Sequence, residues 1–167
     1  ITGINLLDAA NHTVIRNNRI NPGNASPKVC VNINGALQGV LILENNFEDL
    51  YYGIVVVRGQ GIVIAHNRFE IINKCAINVR GDGSANDAGV YVDMHHNYIL
   101  DYGASASSSG RFGFLIEAGH TTIDDNTIKR YDSGSNLGLQ YGINFGGTGI
   151  IAECVIGANH IERYQAL

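Results

Sequence analysis

The chain has 167 residues, of which 45% are apolar and 16% charged, with 21 Gly, 2 Pro and a formal net charge of −4. An ordinary domain is about 25% charged, and average usage would give a chain of this length about 12 glycines. Abundant Ile and Val with scarce proline exclude a collagen-like or disordered chain, the length suits a single domain over residues 1–167, and the acidic balance gives no electrostatic reason to expect a nucleic-acid or membrane partner.

Taken in chain order, two short frames alternate. Ile15, Asn18 and Ile20 open an aliphatic-x-x-Asn-x-Ile/Phe frame that recurs at Ile42, Asn45, Phe47, at Ile64, Asn67, Phe69, at Met94, Asn97, Ile99, at Ile123, Asn126, Ile128 and at Ile156, Asn159, Ile161. Between these copies lies a small-aliphatic-x-aliphatic frame: Cys30-Val31-Asn32-Ile33, Gly53-Ile54-Val55-Val56, Ala76-Ile77-Asn78-Val79, Gly113-Phe114-Leu115-Ile116 and Gly142-Ile143-Asn144-Phe145. The Asn-to-Asn steps are 27, 22, 30, 29 and 33 residues, room for two or three short strands and their turns. Repetition on this scale is the signature of a solenoid. The apolar residues of each frame alternate, as strands with one buried face require. Stacked in parallel, equivalent residues lie about 4.8 Å apart, so Ile falls on Ile and Asn on Asn. An inward Asn can then donate its amide to the next Asn, forming a ladder that satisfies polar groups otherwise buried at about 1–3 kcal/mol each.

The pattern I-x-x-N-x-I followed by G-I-x-V resembles the repeats of right-handed parallel β-helix proteins of the pectin-lyase-like superfamily, which includes polysaccharide lyases, hydrolases, epimerases and phage tailspikes. The resemblance runs from about Gly3 to Ile161 and implies an all-β, right-handed parallel β-helix of about six coils with an asparagine ladder. It implies three strands per coil, the ladder lying at the corner between the second and the third. Loops between third and first strands are then expected at Asn21–Pro27, Glu48–Tyr51, Glu70–Lys74, Asp101–Gly110 and Lys129–Leu139, the two longest on adjacent coils and suited to wall a cleft.

Alternation assigns the outward residues of the first strand to rows: Lys28, Tyr51, Lys74, Arg111, Gln140; a small floor of Cys30, Gly53, Ala76, Gly113, Gly142; and Asn32, Val55, Asn78, Leu115, Asn144. Cations and amides repeated at the coil spacing suit an extended anionic polymer such as a polyuronate, with Arg able to grip carboxylates. Lys28, Tyr51, Asn78, Gln140 and Asn144 are the expected substrate contacts. β-Elimination needs a base and positive charge on the substrate carboxylate, roles open to Arg80, Lys74 or Arg111. Asp82, Asp87, Asp101 and Glu117 could hold Ca²⁺, which takes oxygen ligands; Asp82 and Asp87 are the expected metal residues. Hydrolysis needs two carboxylates, for which Asp101 and Glu117 on neighbouring coils are candidates. The alternative is a non-catalytic shaft or adhesin segment in which the basic row is only solvated.

Val90-Tyr91-Val92-Asp93-Met94-His95-His96-Asn97 resembles the V-W-I-D-H strand of pectate lyases but has Met94 where that motif has His. A metal set of Asp93, His95 and His96 is weakened because adjacent strand residues point to opposite sides. Gly81-Asp82-Gly83-Ser84 and Gly146-Gly147-Thr148-Gly149 precede strands and read as corners rather than phosphate loops. The three Cys, Cys30, Cys75 and Cys154, are widely spaced and read as free thiols. The second-strand exterior, Val14, Leu41, Val63, Asp93, Thr122 and Val155, is apolar enough to serve side-by-side association, and tailspike resemblance implies a trimer. The repeats reach both ends of a chain that starts at Ile1 without a capping helix. The expectation is a piece of a longer protein, or ends covered by other chains, in an extracellular or virion-associated setting.

Overall fold

The computed structural model describes residues 2–8, 10–22, 29–83, 89–102, 111–132, 140–147 and 151–165. In chain order the strands are β1 (Thr2–Leu6), β2 (Val14–Arg16), β3 (Arg19–Ile20), β4 (Val29–Gln38), β5 (Leu41–Leu43), β6 (Asn46–Gln60), β7 (Ile62–Ala65) and β8 (Arg68–Val79). They continue with β9 (Tyr91–His95), β10 (Tyr98–Tyr102), β11 (Arg111–Ile116), β12 (Gly119–Asp124), β13 (Thr127–Asp132), β14 (Gln140–Phe145), β15 (Ile151–Ile156) and β16 (His160–Gln165). Among the described residues the protein is all β and every strand pairing is parallel. One sheet joins β2, β5, β7, β9, β12 and β15, and the other takes the remaining ten strands.

The register stacks the aliphatic positions of the two frames into columns. Ile15, Ile42, Ile64, Met94, Ile123 and Ile156 pair in turn. Ile20, Phe47, Phe69, Ile99, Ile128 and Ile161 do the same on the other sheet. Val31, Ile54, Ile77, Phe114 and Ile143 form a further column. Their central members are fully buried and supply most of one continuous core. Within it the Phe47 and Phe69 rings stack with centroids 5.0 Å apart.

The frame asparagines are Asn45, Asn67, Asn97 and Asn126 in the interior, all at 2% exposure or less, with Asn18 and Asn159 toward the ends. Asn18 donates from Nδ2 to Asn45 Oδ1 at 3.0 Å, Asn45 to Asn67 at 3.0 Å, Asn67 to Asn97 at 3.1 Å, Asn97 to Asn126 at 3.0 Å and Asn126 to Asn159 at 2.9 Å. The second amide hydrogen goes to a carbonyl of the preceding repeat, Ile15 for Asn45, Ile42 for Asn67, Ile64 for Asn97 and Met94 for Asn126. Asn alone among small side chains has both the two donors and the acceptor this pattern uses. The residue before each of five of these asparagines, Asn17, Glu44, His66, His96 and Asp125, is left-handed with φ between 50° and 58°.

Two expected loops are absent as loops. Glu48–Tyr51 lies within β6 and Glu70–Lys74 within β8, each turning on one left-handed residue, Asp49 (φ 52°) and Ile71 (φ 54°). A repeat of 22 residues between Asn45 and Asn67 leaves no chain to spare, so one strand runs through the corner into the next. Of the other expected loops, 23–27, 103–110 and 133–139 lie outside the described residues.

The small row also faces the other way from expectation. Cys30, Gly53, Ala76 and Gly113 are buried, and a Cβ on Gly53 would sit 2.5 Å from the Ala76 carbonyl oxygen and 2.8 Å from the Phe69 ring. One on Gly142 would meet Ile161 at 2.8 Å. The row is small because the first strand leaves the corner hard against the side chains of the third, so strict alternation fails for one residue there. The second-strand exterior stacks as expected, Val14, Leu41, Val63, Asp93, Thr122 and Val155 in register. On β15 and β16, each paired on one side, Val155, Ile156 and Ile161 are more than half exposed.

Candidate functional site

A groove of about 580 Å³ lies on the outer face of the first-strand series, where β4, β6, β8, β11 and β14 run side by side. Because the corner costs one step of alternation, its first wall is Val29, Tyr52 and Phe112, which stand in one register row with the buried Cys75 and with Tyr141. The floor is the row Asn32, Val55, Asn78, Leu115 and Asn144, as alternation predicts. Beyond the strand ends Arg80 N–H bonds the Val56 carbonyl, Glu117 N–H that of Val79 and Gly146 N–H that of Ile116, which carries the stacking on to a third row. A neighbouring depression of about 450 Å³ shares Val57, Arg80, Glu117 and Gly147 with the groove and reaches Gly81, Asp82 and Gly83.

The sequence candidates separate clearly. Lys74, Arg80, Glu117, Asn78 and Asn144 line the groove together. Arg111 does not line that groove: it pairs with Gln140 in the register and is 1% exposed. Tyr51 is half-buried beside the groove, its ring edge-on to Tyr52 with centroids 5.1 Å apart, and it is Tyr52 that faces the groove. Asp82 pairs with Arg58 at the rim of the neighbouring depression, so its carboxylate is engaged by a guanidinium. Lys28 and Asp87 lie outside the described residues, as do the side chains of Asp101 and Gln140.

Sequence reasoning missed Tyr52 and Phe112, the aromatic walls. The signal was present in the frame itself, since Tyr52, Cys75 and Phe112 each directly precede its small residue. The Lys74 ammonium lies 5.6 Å from the centroid of Phe112, a cation–π distance. Burial raises the Tyr52 hydroxyl above its usual range, helped by Cys75 and Tyr51 and opposed by Arg80, so it stays protonated as a donor. Asn78 is 4% exposed and its buried Oδ1 has no hydrogen-bond partner among the described residues. Gly147 adopts φ 118°, and a Cβ there would fall 2.6 Å from Glu117 Oε1, so the chain closes directly over this carboxylate.

Arg16, Arg19, Arg58 and Arg68 pair with Glu44, Glu48, Asp82 and Glu70. Arg80 is exposed and makes no such pair among the described residues. The groove therefore offers a cation not neutralised by a carboxylate, a lysine over an aromatic ring, spaced amides and one carboxylate. Comparison with protein-family models, with curated proteins and with solved structures finds no match to this chain.

Proposed function

We propose that the chain is a right-handed parallel β-helix of about six coils joined by an asparagine ladder, of the pectin-lyase-like kind, and that its first-strand groove binds an acidic polysaccharide and cleaves it. The observation that carries this reading is the convergence of Arg80 and Lys74 with Glu117 and the Tyr52 and Phe112 rings in one elongated groove. Aromatic faces stack on sugar rings, the cations take the carboxylates, and the amides of Asn32, Asn78 and Asn144 recur on every second strand, about 9.6 Å apart at the parallel-sheet spacing. That repeat is on the scale of two pyranose rings. A polymer of this kind is met outside the cell, so an extracellular or virion-associated setting belongs to the same reading.

The chemistry that fits this set is β-elimination. Arg80 and Lys74 hold the uronate carboxylate and stabilise the negative charge that develops on it. Glu117 takes the C5 proton, the electron pair forms the C4–C5 double bond, the C4–O bond breaks, and the leaving oxygen takes a proton from water. Hydrolysis would need a second carboxylate at the scissile bond, and Asp82 is engaged by Arg58. That pairing also argues against Asp82 as a Ca²⁺ ligand. A second reading, a non-catalytic shaft or adhesin segment of a trimeric spike, draws on Glu117 being the one carboxylate among the residues lining the larger groove.

The test is incubation of the full chain with pectins, alginates and acidic capsular glycans. The expected result is binding with release of unsaturated ends, abolished in Glu117→Gln with binding retained. Binding without release would replace cleavage by the shaft reading. Reducing ends without unsaturation would overturn elimination, and no binding to any acidic glycan would overturn the groove assignment.

A further inference from the structure

Away from the groove, at the corner that follows the second strand, three imidazoles converge. His95 ends β9 facing outward, half-buried, and His96 follows with φ 55°. Adjacent residues on a straight strand would diverge; the left-handed backbone at His96 removes that divergence, and the two Nδ1 atoms lie 2.9 Å apart. The expectation that these two neighbouring histidines point to opposite sides does not hold here. The third member is His66 from the preceding repeat, not Asp93. It is also left-handed, at φ 57°, its N–H bonds the His95 carbonyl at 3.3 Å, and its ring stacks on that of His96 with centroids 5.0 Å apart. One ligand nitrogen from each of His66, His95 and His96 lies within 4.8 Å of the other two.

We propose that His66, His95 and His96 form a binding site for a first-row divalent transition metal, taking Cu²⁺ most tightly and Zn²⁺ less so. Imidazole suits Cu, Ni and Zn, whereas Ca²⁺ and Mg²⁺ want oxygen. In the contact between the two Nδ1 atoms one nitrogen donates and the other presents its lone pair, the electron pair a metal would take. Ligands at right angles and about 2.05 Å from a metal are about 2.9 Å apart, while a tetrahedral pair needs about 3.3 Å. The observed separation is that of a hydrogen bond and lies close to both, so the two nitrogens can reach one ion with little movement, and the preference for Cu²⁺ over Zn²⁺ follows from the affinity order of imidazole sites. The rings sit at the surface, with His66 and His96 exposed, so the ion can enter and water can complete its coordination. With Nδ1 of His96 turned to the metal, its Nε2 faces Asp125 Oδ2 at 3.8 Å, close enough for that carboxylate to orient the ring. Stacked left-handed corners make this arrangement available. Each repeat presents one residue at the same place, and two successive repeats present histidine.

The experiment uses the full chain without a histidine tag, stripped with chelator and titrated with Cu²⁺ and then Zn²⁺. Binding is followed by calorimetry and, for Cu²⁺, by electron paramagnetic resonance. The expected result is one saturable equivalent, nitrogen hyperfine structure from imidazole, and tighter binding of Cu²⁺. His66→Ala and His96→Ala should each weaken Cu²⁺ binding at least tenfold, while His160→Ala, on β16, should leave it unchanged. Circular dichroism confirms that each variant is folded. Absence of saturable binding, or equal affinity in wild type and a folded His66→Ala/His96→Ala double variant, would overturn the site.

Discussion

Replacing Asn67 by Ala removes the acceptor of two buried donors and the donor to a buried carbonyl. Oδ1 of Asn67 accepts the backbone N–H and the Nδ2 of Asn45, both at 3.0 Å, and its Nδ2 donates to the Ile42 carbonyl at 2.8 Å. After truncation Asn45 Nδ2 keeps the Ile15 carbonyl at 2.9 Å, but the other groups lose a partner in a region closed to water. A buried polar group stripped of its partner costs about 1–3 kcal/mol, so the two losses, at the Asn45 N–H and the Ile42 carbonyl, come to about 2 kcal/mol even at the low end of that range. Asn18→Ala removes only donated bonds, from Nδ2 to Asn45 Oδ1 and to the Arg16 carbonyl, at an exposed position and should cost about 1 kcal/mol, the net worth of one ordinary hydrogen bond. Asn67→Asp sharpens the test. At neutral pH its carboxylate cannot donate to the Ile42 and Ala65 carbonyls or to Asn97 Oδ1, and it should cost more than the Ala variant. The folded state would hold that carboxyl well above the usual carboxylate range, so it binds the proton more tightly than the unfolded chain. The stability of Asn67→Asp should therefore rise as pH falls and drop as pH rises through the raised value. Urea unfolding followed by circular dichroism from mildly acidic to neutral pH measures all three variants. Asn67→Ala costing no more than Asn18→Ala, or Asn67→Asp showing no gain on acidification relative to Asn67→Ala, would refute the reasoning.

The inward small row makes a second prediction: Gly53→Ala places a Cβ 2.5 Å from a backbone oxygen and should destabilise by about 1–3 kcal/mol in thermal unfolding. Gly89→Ala, whose Cβ would meet nothing nearer among the described residues than Gln60 Nε2 at 3.7 Å, should change stability by no more than about 0.5 kcal/mol, and equal effects would contradict the inward assignment. Burial raises the Cys30 thiol to about 12 and pushes Cys75 up as well, whereas Cys154 is only partly buried. In the native protein at pH 8 a thiol reagent should label Cys154 first and reach the other two only on unfolding, and rapid labelling of all three would contradict the packing. The exposed apolar residues of β15 and β16 and the second-strand exterior should drive association, trimeric in the spike reading; light scattering that finds a monomer at all concentrations would remove that reading.

The repeat was legible because its physics is local. Ile-x-x-Asn-x-Ile encodes two inward aliphatics and an amide that reaches the next repeat, and in the central repeats the frame aliphatics and asparagines are buried, while Ile156 and Ile161 of the last are more than half exposed. The floor row Asn32, Val55, Asn78, Leu115 and Asn144 was legible for the same reason. What misled was strict alternation carried through a corner. Gly53 and its equivalents were assigned outward, which placed Tyr51 rather than Tyr52 on the groove and left Phe112 unnoticed. The packing of Phe69 against Gly53 decides that direction, and it is a contact between residues on different strands. Burial of Arg111 is likewise invisible to alternation. The histidine corner could have been found by stacking the residues before Asn67 and Asn97, but the left-handed turn that brings His95 and His96 together is a backbone property no spacing reveals.

The most direct test of the account compares binding of an acidic oligouronate with that of its carboxyl-reduced counterpart by calorimetry, for the wild-type chain and for Arg80→Ala and Lys74→Ala. The account predicts that the wild type binds the acidic chain and not the reduced one, with an affinity that falls as salt rises, and that each variant loses at least tenfold. Equal affinity for the two oligosaccharides, or binding untouched by both substitutions, would contradict it.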